Sequence, residues 1–160
     1  MSGRPEVLLT MPARPEGVGV VRQALAGMAD ALDFEASVLA DMKMAVTEAC
    51  TNVVVHAYDS DSGILEVEML AADEGLTIVV RDHGSGIQPR PARAEPPALG
   101  LGLPLIAALS DAFELRGSAG MGTEVRMTFA YAREADPADA NPVTGGVGPD
   151  GRWDPDDRGE

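Results

Sequence analysis

The sequence predicts an α/β (α+β) two-layer sandwich, with helices on one face of a mixed, mostly antiparallel sheet. Three observations predict it. Short runs of strand character occur near the start, in the middle and near residue 130. Two stretches before residue 57 carry helical spacing, and a third follows residue 100. Read in order, the elements are β-α-α-β-β-α-β-β.

Each element has its own signal. Val7 to Met11 is a short apolar strand closed by Pro12. Glu16 to Leu32 places Val20, Val21, Ala24, Leu25 and Met28 at helical intervals. A longer helix runs from about Glu35 to His56, with Val38, Leu39, Met42, Ala45, Val46, Ala49 and Val53 on one face. Asp59 to Gly63 is a turn cluster. Ile64 to Leu70 alternates, so it is a strand with one wet face. Asp73-Glu74-Gly75 turns the chain into Leu76 to Val80, apolar enough to be a central strand. Residues 83–98 hold four Pro and two Gly and form nothing regular. Leu101 to Phe113 reads as helix again. Phe113 to Arg116 and Thr123 to Tyr131 make a last pair of strands around the turn from Gly117 to Gly122.

The folded unit is expected to span residues 1–131. Residues 132–160 hold eight acids, three Arg and four Pro with almost no aliphatic side chains, a net −5. Such a segment cannot bury enough apolar surface to offset its ordering entropy, so it reads as a disordered acidic tail. Its lone Trp153 reads as an exposed residue, with docking on a partner as the alternative. The whole chain carries a formal charge of −14 over 160 residues. That argues against nucleic-acid binding and favours a protein partner with a basic patch. One Cys excludes an internal disulfide framework, and no Cys/His cluster suggests zinc. Neither a signal peptide nor a membrane span is visible, so a cytoplasmic protein is expected.

A polar stripe crosses the long helix. Glu48, Asn52 and His56 are spaced four apart and span about 80° of one face. A solvated stripe is the plain reading. Yet the surroundings are Ala45, Ala49, Cys50 and Val53 to Val55, where an acid and an amide need partners. A carboxylate there can accept a proton, and an amide oxygen suits a hard cation such as Mg²⁺.

Glycine-bearing loops follow. Asp82-His83-Gly84-Ser85-Gly86-Ile87 leaves the apolar strand with a carboxylate beside bare backbone, which suits a flat ligand bearing an amino group. Gly100-Leu101-Gly102-Leu103-Pro104 runs into a helix whose first N–H groups can bind phosphate oxygens. Gly122-Thr123 precedes the last strand. Each is weak alone. No Gly-x4-Gly-Lys-Ser/Thr loop and no Gly-x-Gly-x-x-Gly in a first β-α unit is present, so P-loop and dinucleotide folds are disfavoured.

Taken together, these pieces resemble the GHKL ATP-binding (Bergerat-type) fold of gyrase-type ATPases, Hsp90-like chaperones and histidine kinases. The closest resemblance is to bacterial anti-sigma-factor serine/threonine kinases, over roughly residues 5–131. Met42 to Tyr58 looks like the family's N box, Asp82 to Ile87 its first glycine box and Gly100 to Leu103 its second. The resemblance implies that Asn52 coordinates the Mg²⁺ bridging ATP phosphates. It implies that Asp82, helped by Thr123, receives the adenine amino group, and that Gly84 and Gly86 leave room for the base. Gly100 and Gly102 would close a lid over the phosphates. Glu48 would be the general base, while His56 would hold Asn52 or the turn at Asp59. It further implies a sigma factor and a STAS-type antagonist as partners, with homodimers common.

Two departures stand out. Where the family often places an Arg before the second glycine box, this chain has Pro96-Pro97-Ala98-Leu99, leaving Arg90 or Arg93 as substitutes. The acidic tail is also foreign to the pattern. A catalytically inactive, ATP-dependent binding module is therefore the competing reading. A histidine kinase acting in trans and a ligand-free scaffold are the remaining ones.

Overall fold

The structure is a computed structural model that describes residues 6–59, 63–86, 102–131, 146–147 and 153–154. Strand β1 (Glu6–Pro12) leads into α1 (Pro15–Ala31) and α2 (Ala36–Asn52). A π-helical turn, Val53–Ala57, extends α2. Then come β2 (Ile64–Ala71), β3 (Gly75–Asp82), α3 (Gly102–Leu109), β4 (Ala112–Gly117) and β5 (Thr123–Ala130). The five strands form one sheet in the order β1-β2-β3-β5-β4. Every ladder in it is antiparallel, so the expected parallel component is absent among the described residues. In the tail, Gly146–Val147 (β6) pairs with Trp153–Asp154 (β7). The other tail residues, and with them the expectation of disorder, lie outside the described residues.

Local chemistry sets the helix ends. Pro15 opens α1, where its missing N–H is no loss, and Glu16 sits in the first turn. The helix stops at Asp33, which adopts a left-handed φ of 55°. Phe34 N–H donates to the Ala29 carbonyl and Asp33 N–H to that of Asp30, a Schellman closure with Asp in the usual glycine place. The Phe34 ring then lies 4.9 Å from that of Tyr131, centroid to centroid.

Two predicted helices end earlier than their apolar spacing suggests. The long one is α-helical only to Asn52. The third ends at Leu109 rather than Phe113. There Ser110 donates its hydroxyl to the Ile106 carbonyl, Asp111 N–H donates to Thr128 O, and Ala130 N–H donates to Asp111 Oδ2. Those bonds to β5 turn the chain into β4, where Phe113 and Leu115 face the core at strand spacing.

The pleat separates the two faces of the sheet. Leu65, Val67 and Met69 of β2 share the inner face with Leu76, Ile78 and Val80 of β3 and with Val125, Met127 and Phe129 of β5; all are buried. The helices cover this face, α1 over β1 and β2, α2 over β3 and β5, α3 beside β4. The outer face carries charge. Arg81 bridges Glu68 at 2.9 Å and Glu124 at 2.8 Å, and Arg116 pairs with Glu114 at 2.7 Å. Thr77 and Thr128 share a hydroxyl hydrogen bond at 3.1 Å.

The Arg81 guanidinium holds the Glu124 carboxyl below the usual carboxylate range, against the opposing pull of partial burial. A carboxyl lowered in the folded state stabilises the fold above its unfolded pKa and loses that contribution as pH falls through the folded value. The wild type should therefore lose stability between about pH 5 and pH 3. Glu124→Gln should flatten that part of the urea-midpoint profile while leaving Arg81 bound to Glu68.

Candidate functional site

The site lies where the inner sheet face meets the C-terminal end of α2. Along β3 the pleat places Asp82 on the same side as Leu76, Ile78 and Val80, opposite Thr123 of β5. The strand that supplies the core therefore ends in a carboxylate. Asp82 is only 7% exposed and is the one buried charged residue among those described. Its Oδ1 accepts the Gly84 N–H at 2.9 Å, closing an Asx turn, and the second carboxylate oxygen remains for another donor.

A cleft of about 240 Å³ opens beside it. Val80, Leu115 and Val125 give it an apolar floor from the sheet. Ala49, Asn52 and Val53 wall it from α2, His56 and Ala57 from the π turn, and Leu103 from α3. Asp82, Thr123 and Gly86 stand around it. This is the form of a small-molecule site: mostly apolar walls with a few polar groups.

The glycines are explained by close approach. A Cβ on Gly84 would overlap the Ala57 carbonyl at the end of the π turn. Ser85 N–H donates to that same carbonyl at 3.0 Å. Gly86 has a φ of 69°, which a side chain would strain, and its backbone abuts the Ser118 carbonyl.

Glu48 and Asn52 meet at the start of α3. The position of a Cβ on Gly102 is 3.4 Å from Glu48 Oε2, 3.4 Å from Asn52 Nδ2 and 3.6 Å from Asn52 Oδ1. A carboxylate, an amide and a helix N-terminus thus share one small region. Helix starts carry unpaired N–H groups and favour anions, while the two side-chain oxygens suit a hard cation. Among the described residues no three His, Cys, Asp or Glu side chains gather into a metal cage. Mg²⁺ fits such a partial set, since it completes its shell with water and phosphate oxygens.

Asn52, His56, Asp82, Gly86 and Thr123 thus line one cleft, with Gly84 against its wall. Glu48 and Gly102 adjoin Asn52 at its edge. Gly100, Arg90, Arg93 and the stretch from Pro96 to Leu99 lie outside the described residues. His56 faces the cleft from an exposed position on the π turn. Two residues on, the Tyr58 hydroxyl donates to the Ile64 carbonyl at 2.7 Å and accepts the His83 N–H at 2.8 Å. Sequence reading took Ala57 and Tyr58 only as the end of the N-box-like stretch and Ser118 only as part of a turn, and gave none of them a role at the site. Gly84 hinted at a close neighbour, but no spacing names which one.

A family profile described as "Histidine kinase-like ATPase domain" matches residues 11–129. The chain belongs to that family. Among curated relatives, a serine-protein kinase RsbW of Bacillus cereus (strain B4264) is 34% identical over 152 residues, covering 87% of this chain and 93% of that protein. The RsbW of Bacillus anthracis is 32% identical over 151 residues, with the same coverage. A solved structure of the RsbU and RsbW domains of a Mycobacterium tuberculosis protein superposes with a TM-score of 0.64 at 25% identity, over 82% of this chain and 34% of that one. The histidine kinase domain of an Erythrobacter litoralis blue-light activated kinase shares the fold, with a TM-score of 0.50 at 20% identity over 76% of this chain and 62% of that one. No helix among the described residues is long and apolar enough to cross a membrane.

One feature of this histidine kinase-like ATPase domain is chemically silent. Cys50 sits on α2 between Glu48 and Asn52, fully buried, and burial pushes its thiol up to about 12. The thiolate is the nucleophile, so Cys50 is inert at neutral pH. A disulfide reagent should label less than about one tenth of the native protein under conditions that label it fully in denaturant.

Proposed function

We propose that this chain is an ATP-dependent serine/threonine protein kinase of a partner-switching pathway. It sequesters a sigma factor and phosphorylates a Ser or Thr of a STAS-type antagonist, working in the cytoplasm as a homodimer. The names of its relatives support kinase activity. The single observation that carries the reading is the convergence of Glu48 and Asn52 on Gly102, at the edge of a cleft that Asp82 also lines.

In this reading the adenine lies in the apolar cleft. The free oxygen of Asp82 accepts its amino group, and Thr123 lends a hydroxyl across the ladder. The triphosphate runs toward the start of α3, where the first backbone N–H groups of that helix, beginning at Gly102, meet its oxygens. Asn52 Oδ1 would hold Mg²⁺, which when bound spreads the negative charge of the phosphates. Glu48 takes the proton of the acceptor hydroxyl as its oxygen forms a bond to the γ-phosphorus. The bond from that phosphorus to the β,γ-bridging oxygen breaks, and ADP leaves. Such transfer is chiefly positioning and charge stabilisation, so few groups suffice.

Incubation with Mg-ATP labelled at the γ-phosphate and the cognate STAS protein should label that protein on Ser or Thr. Glu48→Gln should lower the labelling rate about a hundredfold or more, with nucleotide affinity unchanged. Asp82→Asn should weaken ATP binding about tenfold, as one charge-assisted hydrogen bond is lost. Tight Mg-ATP binding with no labelling of the partner would reject the kinase assignment.

A second reading has its own motive. Pro96-Pro97-Ala98-Leu99 stands where related kinases often carry an Arg. On that ground the chain would be a binding module that uses ATP to set its shape. Partner binding and signalling would then survive Glu48→Ala.

A further inference from the structure

Tyr58 belongs neither to the cleft lining nor to the polar stripe, yet it joins three segments of the chain. It follows the π turn that carries His56. Its hydroxyl donates to the Ile64 carbonyl at 2.7 Å, at the start of β2. The same oxygen accepts the His83 N–H at 2.8 Å, next to Asp82. Its ring lies directly over Gly63, where any added Cβ would overlap Cδ2 and Cγ. Gly63 is itself fastened just past the end of β1, since its carbonyl accepts the Ala13 N–H at 2.8 Å. One residue earlier, the Ala57 carbonyl accepts the Ser85 N–H at 3.0 Å and leaves no room for a side chain on Gly84.

The chain beyond Asp82 is therefore pinned at two successive points, His83 and Ser85, by two successive residues, Tyr58 and Ala57. Asp82 Oδ1 is occupied by Gly84 N–H, so the direction of the remaining oxygen follows the backbone of this loop. The other end of the clamp continues into α2, which carries Asn52 and Glu48.

We infer that Tyr58 is a positioning residue for base recognition: its hydroxyl fixes the loop that aims Asp82 at the amino group of the purine. This deepens the nucleotide-site reading and rests on it. Tyr58→Phe keeps the ring over Gly63 and removes only the donor to Ile64 O and the acceptor for His83 N–H. Both hydroxyl bonds go to the start of β2 and to the loop beyond Asp82, not to Asn52 or Gly102 at the phosphate end.

The test compares Mg-ATP with Mg-ITP, which carries a carbonyl in place of the amino group, by competition binding on the full chain. Wild type should prefer ATP. Tyr58→Phe should lose about tenfold in ATP affinity, leave ITP affinity nearly unchanged, and so narrow the preference. Gly63→Ala retains the hydroxyl but displaces the ring, and should narrow the preference in the same direction. It keeps the idea testable if the Phe variant does not fold. A lower melting temperature with the ATP-over-ITP ratio intact would overturn the inference and leave Tyr58 as a purely structural tie. Equal losses for both nucleotides would overturn it too. Wild type that binds neither nucleotide would instead remove the nucleotide-site reading on which the inference stands.

Discussion

A carboxylate placed out of solvent at the end of an apolar strand is the constraint around which this fold is arranged. Left without hydrogen bonds, a carboxylate buried there would carry a large desolvation cost. The Gly84 N–H satisfies one oxygen. That bond needs a tight turn, and the turn brings the chain so near the Ala57 carbonyl that only glycine fits. Ser85 N–H then bonds the same carbonyl, so the helix end and the strand end hold one another. An isolated charge thus accounts for the glycine beside it, for the meeting of two elements and for the wall of a cleft.

The rest of the sheet separates duties by face. The inner face is aliphatic with one aromatic, Phe129, and supplies cohesion under the helices. The outer face is laced with the Arg81, Glu68 and Glu124 group, partly exposed, whose contribution to stability is correspondingly modest. Most of the free energy of folding therefore comes from the same face that ends in Asp82. Core and site are two stretches of one surface.

Much of this was legible in the sequence, and for identifiable reasons. The apolar periods of Val38 to Ala49 and of Ile64 to Leu70 are long enough to separate helix from strand. An Asp one residue beyond an apolar run, followed by two spaced glycines, marked the loop at residues 82–86. The end of the third helix was not legible, because Leu109 to Leu115 is compatible with either period. Bonds from Asp111 to β5 decide the matter, and those are long-range. The π turn leaves no mark in composition, since it differs from α by one residue per hydrogen-bonded loop. The bonding role of Tyr58, which the sequence marks only as the end of the N-box-like stretch, was not legible for a related reason: its two partners lie 6 and 25 residues away. No local pattern encodes such a link.

The hairpin of β2 and β3 carries a rule about length. A pleated strand sends alternate residues to opposite sides, so one added residue within β3 would turn Asp82 outward and bring Arg81 into the aliphatic layer. Two added residues would restore both. Drift in this hairpin is therefore confined to even steps, whereas exchanges of one outward side chain for another leave the parity untouched. The strand can change its surface freely, but it can change its count only in pairs.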